Sequence, residues 1–342
     1  MPSPTILDFV HAAAGGRTLT EGEAQSAMEA LLAGESTPVL TAALLTALRV
    51  RGETVEELAG FARAMRAAAV TVPIGEESRP LLDTCGTGGD GMQTFNISTV
   101  AALVIAGAGV RVAKHGNRSI SSRCGSADVL EALGVRAAAE PELAARCVRE
   151  AGIGFFFAPA YHGATKHVQP VRVELKMKTV FNFLGPLTNP ARAEIQVAGT
   201  WSEAAAEKIA GALARLGSHR AFVVNGSDGL DELTLTGAST VFGVRNGAVE
   251  RLEVTPEDFG LRRARGEALK GGDAKENAAI AEAVLSGERG AQRDIVVMNA
   301  GLALVAAEKA SGFREGVRLA EESIDTGAAR ARLDALRRLA KI

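Results

Sequence analysis

Apolar residues recur at helical spacing through roughly the first 70 positions of the chain, and helix-end signals separate the runs. The sequence T-x-x-E occurs at 20–23 and again at 54–57, the spacing of a capping box, in which two side chains satisfy unpaired backbone donors at a helix start. Pro38 stands in the first turn of a third run, and Gly52 follows that run, as is usual for these residues at helix ends. The pattern predicts an all-helical N-terminal domain over residues 1–72.

The pattern changes after the polar linker VPIGEESRP at 72–80. Short apolar runs that end in or near glycine then alternate with helical runs such as SEAAAEKIAGALARLG; the short runs are LLDTCGTGGD, VRVAKHGN, IGFFFAP, IQVAGT and AFVVNG. This alternation is typical of parallel strands joined by helices. The dipeptide Asn-Gly at 246–247 predicts a hairpin, and helical patterning returns from Asp273. We expect an α/β domain with a mainly parallel sheet over residues 73–342, and helices near 165–190 that pack with the N-terminal domain.

Composition narrows the classes of partner. The chain has 342 residues and a formal net charge of −2, from 38 Lys and Arg against 40 Asp and Glu, so no global field favours nucleic acid or an anionic membrane. Cys85, Cys124 and Cys147 lie far apart without CxxC spacing, which argues against a disulfide framework or a thiolate zinc site. The N-terminus lacks a basic leader region, and the longest apolar run, at 99–110, is interrupted by glycine and too short to span a bilayer. We expect a cytoplasmic protein that binds neither nucleic acid nor membrane.

The most informative stretch is a glycine-rich turn, DTCGTGGDG at 83–91, which follows a predicted strand and precedes a helix that begins near Asn96. Such a turn brings backbone N–H groups close to an anion, and the start of the next helix adds unpaired donors and partial positive charge. The turn is therefore a candidate phosphate site. Ser98 and Thr99 are also at positions where helix capping is the commoner role, so both interpretations stay open here.

A dinucleotide site is the first alternative, because Gly86-x-Gly88-x-x-Gly91 matches that fingerprint. The fingerprint requires an acidic residue about 20 positions later for the ribose, yet no Asp or Glu occurs from 91 to 127. No Gly-Lys-Ser/Thr closes the turn, which excludes a Walker A loop. The acid-free stretch instead carries cations, amides and hydroxyls, most densely in KHGNRSISS at 114–122. A pyrophosphate suits that loop, and a merely solvated basic loop is the alternative.

Two further segments carry residues that could bind a metal ion or an organic anion. The carboxylates of Asp231 and Glu232 follow the predicted strand AFVVN on what we expect to be a surface loop, and Mg²⁺ typically binds one or two carboxylates together with substrate phosphate oxygens. Between 161 and 192, Glu174 is the only acid among several cations, and Arg172 lies near phenylalanines and a Gly-Pro corner that could hold a flat organic anion. The histidines of that segment, His162 and His167, lack HExxH spacing and are interpreted as site-lining or core residues.

Several of these motifs occur together in one order: GTGGD at 86–90, NIST at 96–99, KHGNR at 114–118, FNFLGPLTNP from 181, and DGLDE at 228–232. In this the chain resembles, over essentially its whole length, the anthranilate phosphoribosyltransferase family, whose members join anthranilate to phosphoribosyl pyrophosphate in tryptophan biosynthesis. The resemblance implies a fold of the nucleoside phosphorylase/phosphoribosyltransferase class IV type, a site in the cleft between the two domains, dependence on Mg²⁺, and a homodimer.

The resemblance also implies roles for individual residues. Those implied for phosphoribosyl pyrophosphate are Gly86, Gly89, Asp90, Thr94, Asn96, Ile97, Ser98, Thr99, Lys114, Asn117, Ser122 and Ser126. Those implied for anthranilate are Gly86, Asn117, Arg172 and Pro186. Mg²⁺ would be held by Ser98, Asp231 and Glu232, and Lys114 and His115 would be catalytic, with no side chain singled out as a general base.

The chain departs from the family pattern at three places: Arg123-Cys124, the sequence KMKT at 176–179 in place of a glycine-to-arginine turn, and Asn225 in place of a histidine. Two other functions remain as alternatives. A pyrimidine nucleoside phosphorylase would use inorganic phosphate and would not need the carboxylates at 231–232. A non-catalytic nucleic-acid-binding relative would need a strongly basic surface, which the near-neutral charge disfavours.

Overall fold

The N-terminal part of the chain is a helical bundle. The computed structural model describes residues 4–119 and 123–342. The bundle helices are α1 (Ile6–Ala14), α2 (Glu21–Ala33), α3 (Pro38–Arg51) and α4 (Val55–Ala68). Both predicted capping boxes are confirmed, at the starts of α2 and α4. The second box also holds the bundle together, because the buried Glu57 carboxylate accepts the Leu19 N–H (2.8 Å) and a hydrogen bond from the Arg51 guanidinium (2.6 Å).

A mixed sheet forms the centre of the α/β part, as predicted. Its strands are β1 (Leu82–Gly86), β2 (Val112–Gly116), β3 (Ile153–Phe157), β4 (Ile195–Gly199), β5 (Arg220–Gly226), β6 (Ser239–Arg245) and β7 (Ala248–Val254). Their spatial order is β3-β2-β1-β4-β5-β6-β7, parallel from β3 to β5 and antiparallel at β6 and β7. The hairpin between β6 and β7 is confirmed: Asn246 and Gly247 both have positive φ (51° and 79°), as a two-residue I′ turn requires.

Helices cover both faces of the sheet. They are α5 (Ile97–Gly107), α6 (Ser126–Ala132), α7 (Pro141–Ala151), α8 (Ala158–Tyr161), α9 (Gln169–Leu175), α10 (Phe181–Leu187), α11 (Glu203–Arg215), α12 (Ala274–Leu285), α13 (Ala291–Ala306), α14 (Phe313–Asp325) and α15 (Ala328–Leu339). On one face, α5 packs against α13, α14 and α15; the other core contains α10, α11 and the bundle. Helix α3 contacts α9, α4 contacts α10 and α11, and α2 contacts the short 3-10 turn Gly163–His167, so the bundle meets the α/β part at these elements. Within the described residues, every helix is too short or too polar to span a bilayer.

The sheet order creates a switch point. The chain passes from β1 outward to β2 and β3, then returns to place β4 on the other side of β1. In open parallel sheets, the crevice beyond the carboxyl ends of strands at such a point is the usual ligand site. Here those strands end at Gly86 and Gly199, which are paired in the sheet register.

Candidate active site

A cavity of about 760 Å³ opens at this switch point. Its lining comes from the glycine-rich turn after β1, the first turn of α5, the loop after β2, the segment from α9 to α10, and the loop between β5 and β6. The predicted site residues that line it are Gly86, Gly89, Asp90, Thr94, Asn96, Ile97, Ser98, Thr99, Lys114, His115, Asn117, Ser126, Arg172, Asp231 and Glu232. Ser122 lies outside the described residues. Residues from distant parts of the chain therefore meet in one space.

Pro186 does not line this cavity. It is buried inside α10, where its carbonyl accepts a hydrogen bond from the Gln196 side chain. The contact with anthranilate that the resemblance implied for Pro186 is not tested by this, and it stays a prediction. Helix α10 continues through the Gly-Pro corner instead of ending at it, which keeps Pro186 inside the helix.

The glycine-rich turn offers backbone donors. Gly88, Gly89 and Gly91 all have φ between 66° and 76°, a left-handed backbone that L side chains rarely adopt. The Gly88 N–H donates to an Asp231 carboxylate oxygen (2.8 Å). The N–H groups of Gly89, Asp90 and Gly91 have no acceptor among residues 4–119 and 123–342. Such donors are the groups that hold a phosphate in a nest of this kind.

Lys114 places a positive charge at the base of the cavity. Its side chain is buried, and its ammonium donates to the Thr84 carbonyl (2.6 Å) and the Ser98 hydroxyl (3.2 Å). Burial lowers the pKa of Lys114, and the Asp83 and Glu232 carboxylates oppose that shift. Ser98 thus accepts a hydrogen bond from the lysine and does not cap α5, whose N-cap position belongs to Asn96.

Arg118, on the loop after β2, is already neutralised. Arg118 donates to Asp128 (2.8 Å) and Glu131 (2.7 Å), acids that lie just beyond the acid-free stretch on α6. Arg118 is therefore not a free positive charge of the kind expected for that loop, because α6 folds back and supplies two carboxylates as its counterions. Lys114 also lines the cavity and, among the described residues, is not held in an ion pair.

The loop with the two carboxylates is buried against the strand ends, so the expectation of a surface loop is wrong. Glu232 is only 8% exposed, and Asp231 is partly exposed. A Cβ on Gly199 would lie 1.5 Å from the Asp231 carbonyl oxygen, and one on Gly86 would lie 2.4 Å from an Asp231 carboxylate oxygen. Only a pair of glycines at the ends of β1 and β4 leaves room for Asp231 to cross there.

Side chains around the carboxylates hold the loop. The Asn225 amide donates to the Thr200 carbonyl (2.8 Å), and Asn299 both accepts from the Leu233 N–H (2.9 Å) and donates to its carbonyl (3.1 Å). Asn225 is one of the three departures from the family pattern, and here it ties the end of β5 to the end of β4. The carboxylates are thus fixed before any ligand arrives.

The donor set of this loop fits a hard divalent cation. Burial raises the pKa of both Asp231 and Glu232, and the neighbouring charge of Asp90 on Asp231, and of Asp231 on Glu232, raises them further. Two carboxylates that repel each other in a desolvated place gain from a cation between them. In the part of the chain that the structure describes, no cluster of three or more His, Cys, Asp or Glu side chains could hold a metal. The pair instead suits Mg²⁺ completed by substrate oxygens.

His115 is a neutral group at the cavity wall. Its ring Nδ1 lies 3.1 Å from the Gly185 carbonyl, so that nitrogen carries the proton, and its buried Nε2 has no partner among the described residues. Burial and the adjacent His162 ring, 5.3 Å away between centroids, lower the pKa of His115 to about 3. The ring can accept a hydrogen bond, but it is a poor proton acceptor near pH 7. His162 is a buried core neighbour, whereas His167 lies exposed and packs against Gly34.

Arg172 lines the part of the cavity that α9 contributes. Its guanidinium lies 4.9 Å from the Phe181 ring centroid and donates to the Gln169 side chain (3.2 Å). Burial lowers its pKa from the ordinary arginine value, and no carboxylate among the described residues is within ion-pair distance. The exposed side chains of Val173 and Met177 lie beside it. This end of the cavity combines one unpaired cation with apolar surface.

The comparisons with known proteins agree with this geometry. Residues 78–330 match the glycosyl transferase family, a/b domain, and residues 7–69 match its helical bundle domain. The anthranilate phosphoribosyltransferase of Solibacter usitatus is 59% identical over 318 residues, which cover 93% of this chain and 94% of that protein. The chain belongs to the anthranilate phosphoribosyltransferase family.

Solved structures of this family have the same fold. The anthranilate phosphoribosyltransferase of Thermus thermophilus superposes with a TM-score of 0.92 at 50% identity, covering 97% of this chain and 99% of that one. The Saccharomyces cerevisiae enzyme in complex with PRPP and Mg superposes with a TM-score of 0.89 at 29% identity, covering 98% and 97%. This chain is accordingly an enzyme of the glycosyl transferase class.

Two residues that the sequence analysis did not single out contact the residues of this cavity. Asn277 donates to the Asn96 side-chain oxygen (2.9 Å) and accepts the Gly272 N–H (2.7 Å), so the segment GGDAKEN fixes the amide of a cavity residue. Lys178 donates to the Gly89 carbonyl (3.2 Å). Near Asn277 the sequence signal was the return of helical patterning from Asp273, and the signal for Lys178 was the departure at 176–179.

Proposed function

We propose that this enzyme transfers the phosphoribosyl group of 5-phosphoribosyl 1-pyrophosphate to the amine of anthranilate, giving N-(5-phosphoribosyl)anthranilate and pyrophosphate in L-tryptophan biosynthesis. One observation carries the proposal: polar groups without partners converge on the cavity. The buried Thr87 Oγ1, Thr99 Oγ1 and His115 Nε2 have no partner among the described residues, and they share the cavity with the free N–H groups of the glycine-rich turn. Unpaired buried polar atoms are costly, and a polyanionic substrate would satisfy them.

The reaction forms a bond from the anthranilate nitrogen to C1 of the ribose and breaks the bond from C1 to the pyrophosphate oxygen. An aromatic amine attacks without prior loss of a proton and releases one afterwards. Stabilising the departing pyrophosphate is the harder task, and fixed donors in a desolvated site do this well. We assign that role to the Lys114 ammonium and to the N–H groups of Gly89 and Asp90, because these residues line the cavity.

We place Mg²⁺ at Ser98, Asp231 and Glu232. The fit of these three residues rests on the mutual repulsion of the two carboxylates and on the Ser98 hydroxyl, which accepts a hydrogen bond from Lys114 and lies beside Glu232. Bound there, the cation would supply charge neutralisation for the pyrophosphate oxygens. The remaining residues implied by the resemblance, Thr94, Asn96, Ile97, Asn117 and Ser126, are proposed to complete the phosphoribosyl site.

We assign anthranilate to the Arg172 side of the cavity. The guanidinium would bind the carboxylate, and the apolar surface of Val173 and Met177 would face the ring. Asn117 and the neutral His115 ring would position the substrate from the other wall, so that the amine meets C1. Holding both reactants in one orientation contributes to the rate by itself.

We also propose a homodimer that works in the cytoplasm. Helices α1 and α3 expose Leu7, Val39 and Val50, and Val50 lines an alanine-rich groove formed by the same two helices. A second copy of the bundle would cover this apolar surface. Sedimentation of Val39→Glu should show monomers if this face is the interface, and an unchanged dimer would exclude it. Cys85 and Cys147 are buried free thiols, which suits a reducing compartment. The proposed division of the chain remains 1–72 and 73–342, with the site at their junction.

The test is loss of anthranilate fluorescence when the purified enzyme is mixed with phosphoribosyl pyrophosphate and Mg²⁺. We expect loss only when all components are present. A parallel reaction with uridine and inorganic phosphate tests the nucleoside phosphorylase alternative. Turnover of the nucleoside without turnover of anthranilate would refute the proposed function.

A further inference from the structure

Lys178 reaches from the segment between α9 and α10 across the cavity edge to the glycine-rich turn. Its ammonium donates to the Gly89 carbonyl (3.2 Å) and lies 4.3 Å from the centroid of the Trp201 ring. Trp201 in turn packs edge-on against Phe183, with centroids 4.9 Å apart. A cation over the face of tryptophan is attracted by the ring quadrupole, so two different segments hold this ammonium in one place.

The backbone around Lys178 fixes where the side chain starts. Lys176 closes α9 in the left-handed region (φ 49°), and the Thr179 N–H donates to the Asn182 side chain (2.9 Å) at the start of α10. The connection between the two helices is therefore anchored at both ends. The only tryptophan of the chain lies on the loop after β4, opposite this connection.

The charge of Lys178 is not used in an ion pair. No carboxylate among the described residues lies within ion-pair distance of its ammonium. Burial and the charge of Arg49 lower the pKa of Lys178, whereas the carboxylates of Asp90 and Asp231 raise it. The ammonium is thus available to polarise the peptide group that it contacts.

That peptide joins Gly89 to Asp90, and its orientation matters for an anion. In a trans peptide the carbonyl and the N–H point in opposite directions. With the Gly89 carbonyl held by Lys178, the Asp90 N–H points the other way and has no acceptor among residues 4–119 and 123–342. Because residue 89 is glycine, this peptide can rotate at low cost, and the rotated form would present a carbonyl oxygen to the phosphate.

We propose that Lys178, supported by Trp201, is a positioning residue that holds the Gly89–Asp90 peptide in the orientation that binds the pyrophosphate of the substrate. The inference rests on the proposed function, because it takes the glycine-rich turn as the pyrophosphate site. It assigns a role in binding one substrate and none in binding anthranilate.

The test compares Lys178→Met and Lys178→Arg with the wild-type enzyme. Methionine keeps much of the stem length but removes the donor and the charge, so the KM for phosphoribosyl pyrophosphate should rise about tenfold, equivalent to about 1.4 kcal/mol. The KM for anthranilate and kcat should change less than about threefold by the same arithmetic. Arginine keeps a donor and a cation–π partner, and it should restore most of the affinity. Lys166→Met removes an equal charge from an exposed position outside the cavity lining and serves as the control.

A binding measurement separates failure of this inference from failure of the proposed function. Calorimetric titration of Mg²⁺ and inorganic pyrophosphate into wild-type enzyme tests the site itself, and absence of binding there would refute the proposed function. Equal affinity in wild type and Lys178→Met would refute only the role of Lys178. Parallel rises in both KM values, with a fall in Tm, would show a general structural defect and would also overturn the proposal. Emission from the single tryptophan should shift in Lys178→Met if the contact exists in solution.

Discussion

Replacing Arg172 by alanine tests how the cavity is divided between the two substrates. Two arginines line it in the described part of the chain: Arg118 is bound by Asp128 and Glu131, and Arg172 has only the neutral Gln169 side chain. Arg172 is therefore the guanidinium free to bind a carboxylate. A charge-assisted hydrogen bond contributes about 1.5–3 kcal/mol, so its loss should raise the KM for anthranilate about 10- to 150-fold.

The assay measures both KM values by anthranilate fluorescence at saturating Mg²⁺. The KM for phosphoribosyl pyrophosphate should stay within about threefold of wild type. Arg172→Lys should be intermediate, because an ammonium keeps the charge but loses the planar fork. Aniline, which lacks the carboxylate, supplies a matched comparison: it should be a poor substrate for wild type, and Arg172→Ala should treat aniline and anthranilate nearly alike.

One control is required, because the alanine variant also loses the contact between the Arg172 guanidinium and the Phe181 ring. A Tm within a few degrees of wild type would show that the fold is intact. The reasoning is refuted if anthranilate is unaffected while affinity for phosphoribosyl pyrophosphate is lost. Arg172 would then belong to the phosphate site.

Three further predictions concern the metal loop and the buried histidines. Asp231→Asn and Glu232→Gln should abolish most turnover at limiting Mg²⁺ without lowering the Tm in EDTA, because burial already disfavours both charges; near-normal activity of both variants would contradict the metal assignment. Gly199→Ala should cost more than about tenfold in kcat/KM by displacing Asp231, whereas Gly163→Ala, with open space around it, should not; equal activities would exclude the close approach. His162 has a folded pKa of about 4, below its unfolded value near 6.5, so its contribution to stability is complete above pH 6.5 and is lost as the pH falls toward 4. Urea unfolding should show His162→Asn losing about 2 kcal/mol less than wild type between pH 7 and 5, and equal losses would refute the shift.

The strands and the glycine-rich turn could be predicted because their signals are local. Each parallel strand is a short apolar run that ends in or near glycine, and Asn246-Gly247 determines a turn almost alone. The same holds for the capping boxes of α2 and α4. Placing the site followed from this, since the ends of parallel strands meet at one edge.

What the sequence could not provide depends on contacts between distant segments. The position of Asp231 against the strand ends follows from two glycines, Gly86 and Gly199, that are far apart in the chain and adjacent in the sheet. The neutralisation of Arg118 depends on where α6 turns back, and the position of Pro186 depends on α10 continuing through it. No local pattern carries such information.

Lys178 illustrates the same limit in a residue with a proposed role. Its sequence neighbourhood showed only a departure from the family pattern, whereas its contacts with Gly89 and Trp201 appear only when three segments are brought together. Asn277 likewise lies far along the chain from the Asn96 amide that it orients.

Phosphorus NMR of a single reaction mixture tests the central claim most directly. The purified enzyme is incubated with anthranilate, phosphoribosyl pyrophosphate and Mg²⁺ while the phosphorus signals and the anthranilate concentration are recorded together. We predict one equivalent of inorganic pyrophosphate and one new phosphoribosyl signal for each anthranilate consumed. When Mg²⁺ is chelated, we predict that no pyrophosphate forms and no anthranilate is consumed. Release of pyrophosphate without loss of anthranilate, or no reaction with Mg²⁺ present, would contradict the account.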